Sequence, residues 1–250
     1  MTIERARRDL VIANRILARE DVLDAYGHVS LRHPDDPESF LQSRSKSPQH
    51  VELDDLITFD LHGTPMGADE RPGYLERFIH AAVLDARPEV TCVVHGHTEA
   101  LLPFCITDTP LVPVIHVAAE MGATVPVWDI RDRFGDETNL LVTNLEQGRD
   151  LASTLAGNSV CLMRGHGFVA AGTSLIRTIS MVVYLARNAR VLMAARQLGE
   201  VVALSAGEIA AGSRTGPGET FDPDSPAVRR SWEYWADRAG CADLLDDHRG

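Results

Sequence analysis

The sequence predicts a layered α/β domain whose sheet is mainly antiparallel or mixed. Two observations carry that expectation. Short stretches rich in β-branched residues cluster between segments with helical spacing, and the connections between them are short. A length of 250 residues fits one large domain better than two small ones. A hydrophobic fraction of 44% and a charged fraction of 24% are enough to build a sizeable core.

The elements follow in order. Ile3, Leu10, Val11, Asn14, Ile16 and Leu17 fall broadly on one side of an amphipathic helix. "YGHVSLRH" alternates as a short strand; "SFLQS" and "DLITFDLHG" are two more, separated by the loop "SRSKSPQHVELD". A helix is expected from Pro72 to just before Pro88, with Leu75, Phe78, Ile79, Ala82 and Val83 as its apolar positions. The strand "EVTCVVHGH" comes next, then a helix over "TEALLPF" and short strands "LVPVIH" and "VPVWDI". "NLEQGRDLASTLAG" begins as an Asn-capped turn and ends at Gly157. "SVCLMRGHGFVAAG" reads as a hairpin, and the longest helix runs from a Thr173 cap to Gly199. "SAGE", Ser205 to Glu208, is a capping box. A linker near 212–223 separates residues 1–211 from a C-terminal arm, 212–250, whose helix starts at Pro226; the arm is expected to pack on its own domain or on a neighbouring subunit.

The formal net charge of -12 argues against nucleic acid and anionic membranes as partners. The N-terminal segment has no uninterrupted apolar run, so neither a signal peptide nor a membrane span is expected, and a cytoplasmic location is the default. Cys92, Cys105, Cys161 and Cys241 form no CxxC pair, and three of them sit in apolar runs as expected buried thiols.

Chemistry concentrates in the histidines. Residues two apart on a strand share a face, so His95 and His97 present both rings to one side with Gly96 between them. Such a pair is a bidentate metal site in waiting, and three nitrogen ligands with an open position describe catalytic rather than structural zinc. His166 in "MRGHG" is the best third ligand, since glycines on both sides would let backbone and metal approach closely, as Gly96 leaves room between the other two rings. HxH also arises by chance, and an all-β cupin, which uses it too, is excluded by the long helices. Glu76 stands in an apolar stretch beside Leu75 and Phe78, where a buried carboxylate needs a cation or a partner. A solvent-facing Glu76 paired with His80 at i,i+4 fits the same pattern.

Taken together, Glu76, the nineteen-residue step to His95, "VVHGH" and the later "RGHG" resemble the class II aldolase/adducin family. The resemblance runs from the first helix to about residue 200. It implies three layers around a mostly antiparallel sheet and a homo-oligomer, commonly a C4 tetramer, with active sites at subunit interfaces. It implies His95, His97 and His166 as ligands of a divalent metal, and Glu76 as the acid/base beside it. "YGHVSLR" resembles the family's "GNxS" turn with His28 where asparagine is usual. The sugar-phosphate aldolases carry small serines before the glutamate, and here Tyr74 and Leu75 stand there instead, against a sugar phosphate. "YGHVSLRHP…FLQSRSKSP", "RPGYLERFIH" and "WDIRD" look closer to decarboxylases of aromatic catabolism, such as those of hydroxy-carboxymuconate semialdehydes and dihydroxyphthalates.

The expected reaction is therefore metal-dependent carbon–carbon cleavage of a small carboxylate, most of all decarboxylation of a hydroxylated aromatic or ring-opened semialdehyde acid. In either retro-aldol cleavage or decarboxylation a cation on the adjacent oxygen stabilises the charge that develops. Arg44 is the candidate for the carboxylate, with Ser43 and Ser45 adding hydroxyls, although Arg44 and Lys46 alone read as ordinary loop charges. His116 is the candidate proton donor, where the aldolases tend to have a tyrosine contributed across an interface. His28 and Tyr184 are further candidates for substrate contact. The residues alone leave His28 and His116 between substrate-facing and structural roles, and Tyr184, Trp232, Tyr234 and Trp235 between site lining and packing. His33, His50, His62, His80 and His248 receive no role. Zinc leads among the metals, and manganese, iron and cobalt also suit neutral nitrogen donors. Rival readings are an aldolase acting on a non-phosphorylated hydroxy-keto acid, an Fe(II)-dependent oxygenase, and an adducin-like binding module without catalysis.

Overall fold

The computed structural model describes residues 1–67, 69–213 and 225–245. In chain order the elements are α1 (Ile3–Arg19), β1 (His28–Arg32), β2 (Ser39–Ser43), β3 (Leu56–Asp60), α2 (Arg77–Ala86), β4 (Cys92–Gly96), α3 (Leu102–Cys105), β5 (Val127–Trp128), α4 (Arg131–Phe134), α5 (Leu145–Leu155), β6 (Val160–Met163), β7 (Gly167–Gly172), α6 (Leu175–Leu198), α7 (Ala206–Gly212) and α8 (Pro226–Arg238). Seven strands form one sheet in the order β3-β2-β1-β4-β7-β6-β5. Every pairing is antiparallel except the short parallel one between β5 and β6, so the sheet is mixed as the sequence predicts.

Strand alternation sorts the core into two layers. Val29, Leu31, Leu41, Cys92, Val94, Leu162, Phe168 and Ala170 pack in one cluster with residues of α1, α6 and α8. Phe40, Ile57, Phe59, Val93, Cys161, Met163, Val169 and Ala171 pack in the other with residues of α2 and α5. The result is helices, sheet, helices: three layers.

Local rules account for most boundaries. Thr2 caps α1 by accepting from the Arg5 N–H, and Asn144 caps α5 by accepting from Gln147. The Ser205–Glu208 box at α7 makes both of its reciprocal bonds. The helix α8 folds back onto α1 and α6, with Trp232 and Trp235 buried and Arg238 bonded to Glu20. Most of the expected 212–223 linker, from residue 214 on, lies outside the described residues, as does His248.

Three expectations fail, each for a physical reason. The helix expected from Pro72 starts only at Arg77, because Gly73 pairs with Arg44 in an isolated bridge and holds that stretch extended. "LVPVIH" forms no strand. Pro110 and Pro113 offer no N–H, and Asn188 of α6 takes the place of a partner strand, bonding to Val114 N and Val112 O at 2.8 Å each. The residue at the start of α6 is Ser174, not Thr173, and it makes no side-chain cap bond.

Candidate metal centre and active site

β1 and β4 lie side by side, with His28 directly opposite His95. β4 in turn pairs with β7, and the β6–β7 turn brings His166 to the end of β4 where His97 emerges. Gly165 turns that corner at a φ of +65°, a conformation glycine adopts without strain. Gly167 is required by close approach: a Cβ there would stand 2.2 Å from the Gly96 carbonyl oxygen. The sequence suggested that these glycines and Gly96 make room for rings and metal. The structure shows strand packing instead, the space above Gly96 being filled by Leu23.

The three imidazoles and Glu76 converge, with one potential ligand atom from each lying within 4.8 Å of the others. Glu76 Oε2 is 3.4 Å from the Nε2 of both His95 and His166, and His97 Nε2 is 3.2 Å from His166 Nε2. Outer contacts set the ring orientations. His95 Nδ1–H donates to the Phe168 carbonyl at 2.9 Å, and His97 Nδ1–H donates to Asp24 at 3.1 Å. Each bond leaves the Nε2 lone pair turned inward, the usual support for a metal-binding histidine. Asp24 is itself fixed by the N–H groups of Tyr26 and Gly27. Glu76 sits just ahead of α2 rather than inside it, and its Oε1 accepts from Val142 N at 2.9 Å. Burial alone would raise the Glu76 carboxyl, but His95 and His166 outweigh it and hold the group far below the usual carboxylate range.

The cluster fits a cation. His95 Nε2 is wholly enclosed and has no hydrogen-bond partner among the described residues, an arrangement that costs stability unless something else takes up the lone pair. Three neutral imidazoles are a donor set of catalytic zinc and suit manganese, iron or cobalt as well, with the Glu76 carboxylate beside the position they leave open. Among the described residues, His95, His97, His166 and Glu76 could together hold a divalent metal.

The other candidates divide. His28 is buried beside this cluster, its ring 5.1 Å from that of His95 and 4.4 Å from that of Tyr74. Arg44 and Ser43 lie at the end of β2. Arg44 Nε bonds Asp55 at 2.7 Å, Lys46 Nζ bonds the other Asp55 oxygen at 2.6 Å, and Ser43 Oγ donates to the Arg44 carbonyl. Ser45 is exposed, with its N–H on the Pro72 carbonyl. Tyr74 joins this loop to the Glu76–histidine cluster, since its hydroxyl donates to the Lys46 carbonyl and its ring covers His28.

His116 and Tyr184 are not brought to Glu76 within the chain. They line a separate cavity of about 490 Å³ with Glu120, Met181 and Glu208, His116 being exposed at its rim. Tyr184 packs against Trp235 and under the Arg187 guanidinium. The sequence missed Asp24, Asp55 and His80. The first two are ordinary loop acids until the chain folds, and His80 was considered only as a partner of Glu76. It bonds His28 and Ser30 instead.

This fold and this cluster define a class of protein. Residues 8–193 match the class II aldolase and adducin N-terminal domain, and the chain belongs to that family. Its relatives sharpen the picture. It is 33% identical to decarboxylase tropJ of Talaromyces stipitatus, covering 91% of each chain. It is 29% identical to a 3,4-dihydroxyphthalate decarboxylase of Terrabacter sp., covering 85% of this chain and 91% of the relative. Among solved structures, an aldolase II superfamily protein from Pseudomonas syringae superposes with a TM-score of 0.76 at 22% identity, covering 97% of this chain and 96% of that one. The protein is an enzyme of the lyase class.

Proposed function

We propose that the protein is a metal-dependent carbon–carbon lyase that decarboxylates a hydroxylated aromatic or ring-opened semialdehyde acid. The observation that carries this reading is the convergence of Glu76, His95, His97 and His166 in a chain so similar to decarboxylases along its length. Zinc is the first choice of metal, with manganese, iron and cobalt compatible with the same donors. When bound, the cation supplies Lewis acidity to the substrate oxygen that takes up charge as the bond to the carboxylate carbon breaks.

The chain's own residues do the rest. Arg44 is held by Asp55 through one nitrogen only, so its remaining N–H groups are the candidate clamp for a carboxylate, with Ser43 and Ser45 beside it. Cleavage releases CO2 and leaves an electron pair on carbon, which must then receive a proton. Glu76, kept ionised and anchored by Val142 N–H, accepts a proton from the substrate hydroxyl. His116 delivers the proton to carbon from a neighbouring subunit, because it stands exposed and outside its own chain's cluster. The reading therefore includes a homo-oligomer, a tetramer with shared active sites, in which Tyr184 lines the neighbouring surface. Residues 1–211 form the catalytic domain and 212–250 an arm. Four buried, unpaired cysteines agree with a cytoplasmic enzyme, and no helix among the described residues is long and apolar enough to cross a membrane.

The test is elemental analysis of the purified protein followed by a screen of hydroxylated aromatic and ring-opened carboxylates, scoring released CO2 against released aldehyde and consumed oxygen. Stoichiometric metal with CO2 release is expected. Aldehyde release in place of CO2 would make the protein an aldolase. Arg44→Ala should raise KM for the carboxylate substrate about tenfold, the loss of one charge-assisted hydrogen bond.

A further inference from the structure

Beneath the metal cluster, three buried polar groups form a line from the sheet to α2. Ser30 Oγ lies 2.6 Å from His80 Nδ1, and His80 Nε2 lies 2.7 Å from His28 Nδ1. Ser30 and His80 are fully buried and His28 is 2% exposed. A contact this short between two ring nitrogens needs one proton and one lone pair, so the line has a direction.

Two directions are possible with both rings neutral. In one, Ser30 O–H donates to His80 Nδ1, His80 Nε2–H donates to His28 Nδ1, and His28 carries its proton on Nε2. In the other, every bond is reversed and His28 Nε2 is a bare lone pair. The reversed line leaves the Ser30 hydroxyl proton buried with no acceptor, since Ser30 Oγ has no other partner among the described residues. Gln42, its neighbour on β2, makes no side-chain hydrogen bond among the described residues. An unsatisfied buried donor forfeits its hydrogen bond with water outright, whereas a hydroxyl oxygen with a spare lone pair loses less. The forward direction wins. Burial pushes the His80 ring down to about 3, in keeping with a neutral imidazole, and no carboxylate among the described residues is hydrogen-bonded to either ring.

We propose that Ser30 and His80 are positioning residues that lock His28 as a neutral N–H donor, aimed through Nε2 at an anionic oxygen of the substrate. His28 Nε2 has no partner among the described residues, and the ring lies beside those of His95 and Tyr74 at the edge of the cluster. A locked donor accepts only an oxygen with a lone pair to offer, and it strengthens its bond as that oxygen gains charge without moving a proton of its own. The substrate is thereby expected to present an acceptor oxygen at this position, which in the acids proposed above is the carboxylate or the ionisable hydroxyl. This step rests on the proposed lyase reading for its purpose, though not for its proton positions.

The experiment is a two-bond proton–nitrogen correlation spectrum of the full chain labelled with 15N-histidine, with His28→Gln assigning the His28 signals. The expected spectrum shows His28 protonated at Nε2 alone, with Ser30→Ala redistributing that proton and Ser30→Thr restoring it. In the same variants, Ser30→Ala should lower kcat for CO2 release about tenfold at unchanged metal content, and Ser30→Thr should recover it. A wild-type His28 protonated at Nδ1 would overturn the proposal, and so would a tautomer indifferent to Ser30→Ala. Should that variant fail to fold, the wild-type spectrum decides alone. A chain that releases no CO2 but shows the expected tautomer would strike the lyase reading and leave the locked donor standing.

Discussion

The two faces of the sheet carry different cargo. On the α1 and α6 side the strands contribute mainly apolar residues, among them Val29, Leu31, Leu41, Val94, Phe168 and Ala170. On the α2 and α5 side the alternate positions of the same strands include His28, Ser30, Gln42 and His95, all buried. Burying such groups costs stability unless each finds a partner. Arg32, next on that face, is answered by the carbonyls of Val90, Pro37, Leu84 and Arg87 and is structural. His95 Nε2 has no such answer. One face therefore stabilises the fold, while the other carries a polar deficit that a metal and substrate would remove.

Substitutions on the two faces should separate these roles. The largest effect belongs to His95→Ala or His166→Ala, each expected to abolish bound metal and turnover together; stoichiometric metal by elemental analysis in both variants would dissolve the site. Glu76→Gln should keep the metal and lose about 10²–10⁴-fold in kcat, the usual worth of a positioned acid/base, and wild-type kinetics would remove its role. Asp24→Asn should keep the turn made with Tyr26 and Gly27 but weaken metal affinity about tenfold, as loss of a carboxylate behind a ligating histidine does; competition with a chromophoric chelator measures it. On the opposite face, Leu41→Ala should cost about 2–5 kcal/mol in denaturant unfolding yet leave metal content and kcat unchanged where the protein is folded. A Leu41→Ala variant that loses metal while still folded would show that the faces are not separable.

Much of this was legible in the sequence because it is local. Alternation within "HVSLR" and "CVVHG" decides which residues share a face, and one strand is enough to put His95 and His97 on the same side. Asn144 and Ser205 mark helix starts through bonds that span three residues. Pattern also sufficed to nominate His166 and Glu76, since their residue types and glycine or apolar surroundings are visible in the chain.

Tertiary structure decided what depends on residues remote in sequence. Only the fold makes Asn188 the partner of Val112 and Val114 and so denies "LVPVIH" a strand. Only strand register sets His28 across from His95, and only the seating of α2 gives His80 to His28 instead of to Glu76. Whether Glu76 faces solvent or the imidazoles was undecided by spacing, because its position just ahead of α2 is fixed by Val142 and the β2 edge. The separation of His116 and Tyr184 from that cluster is likewise a product of packing. Periodicity fixes the direction of a side chain relative to its own backbone; which remote group waits there is settled by the long-range contacts of the folded chain.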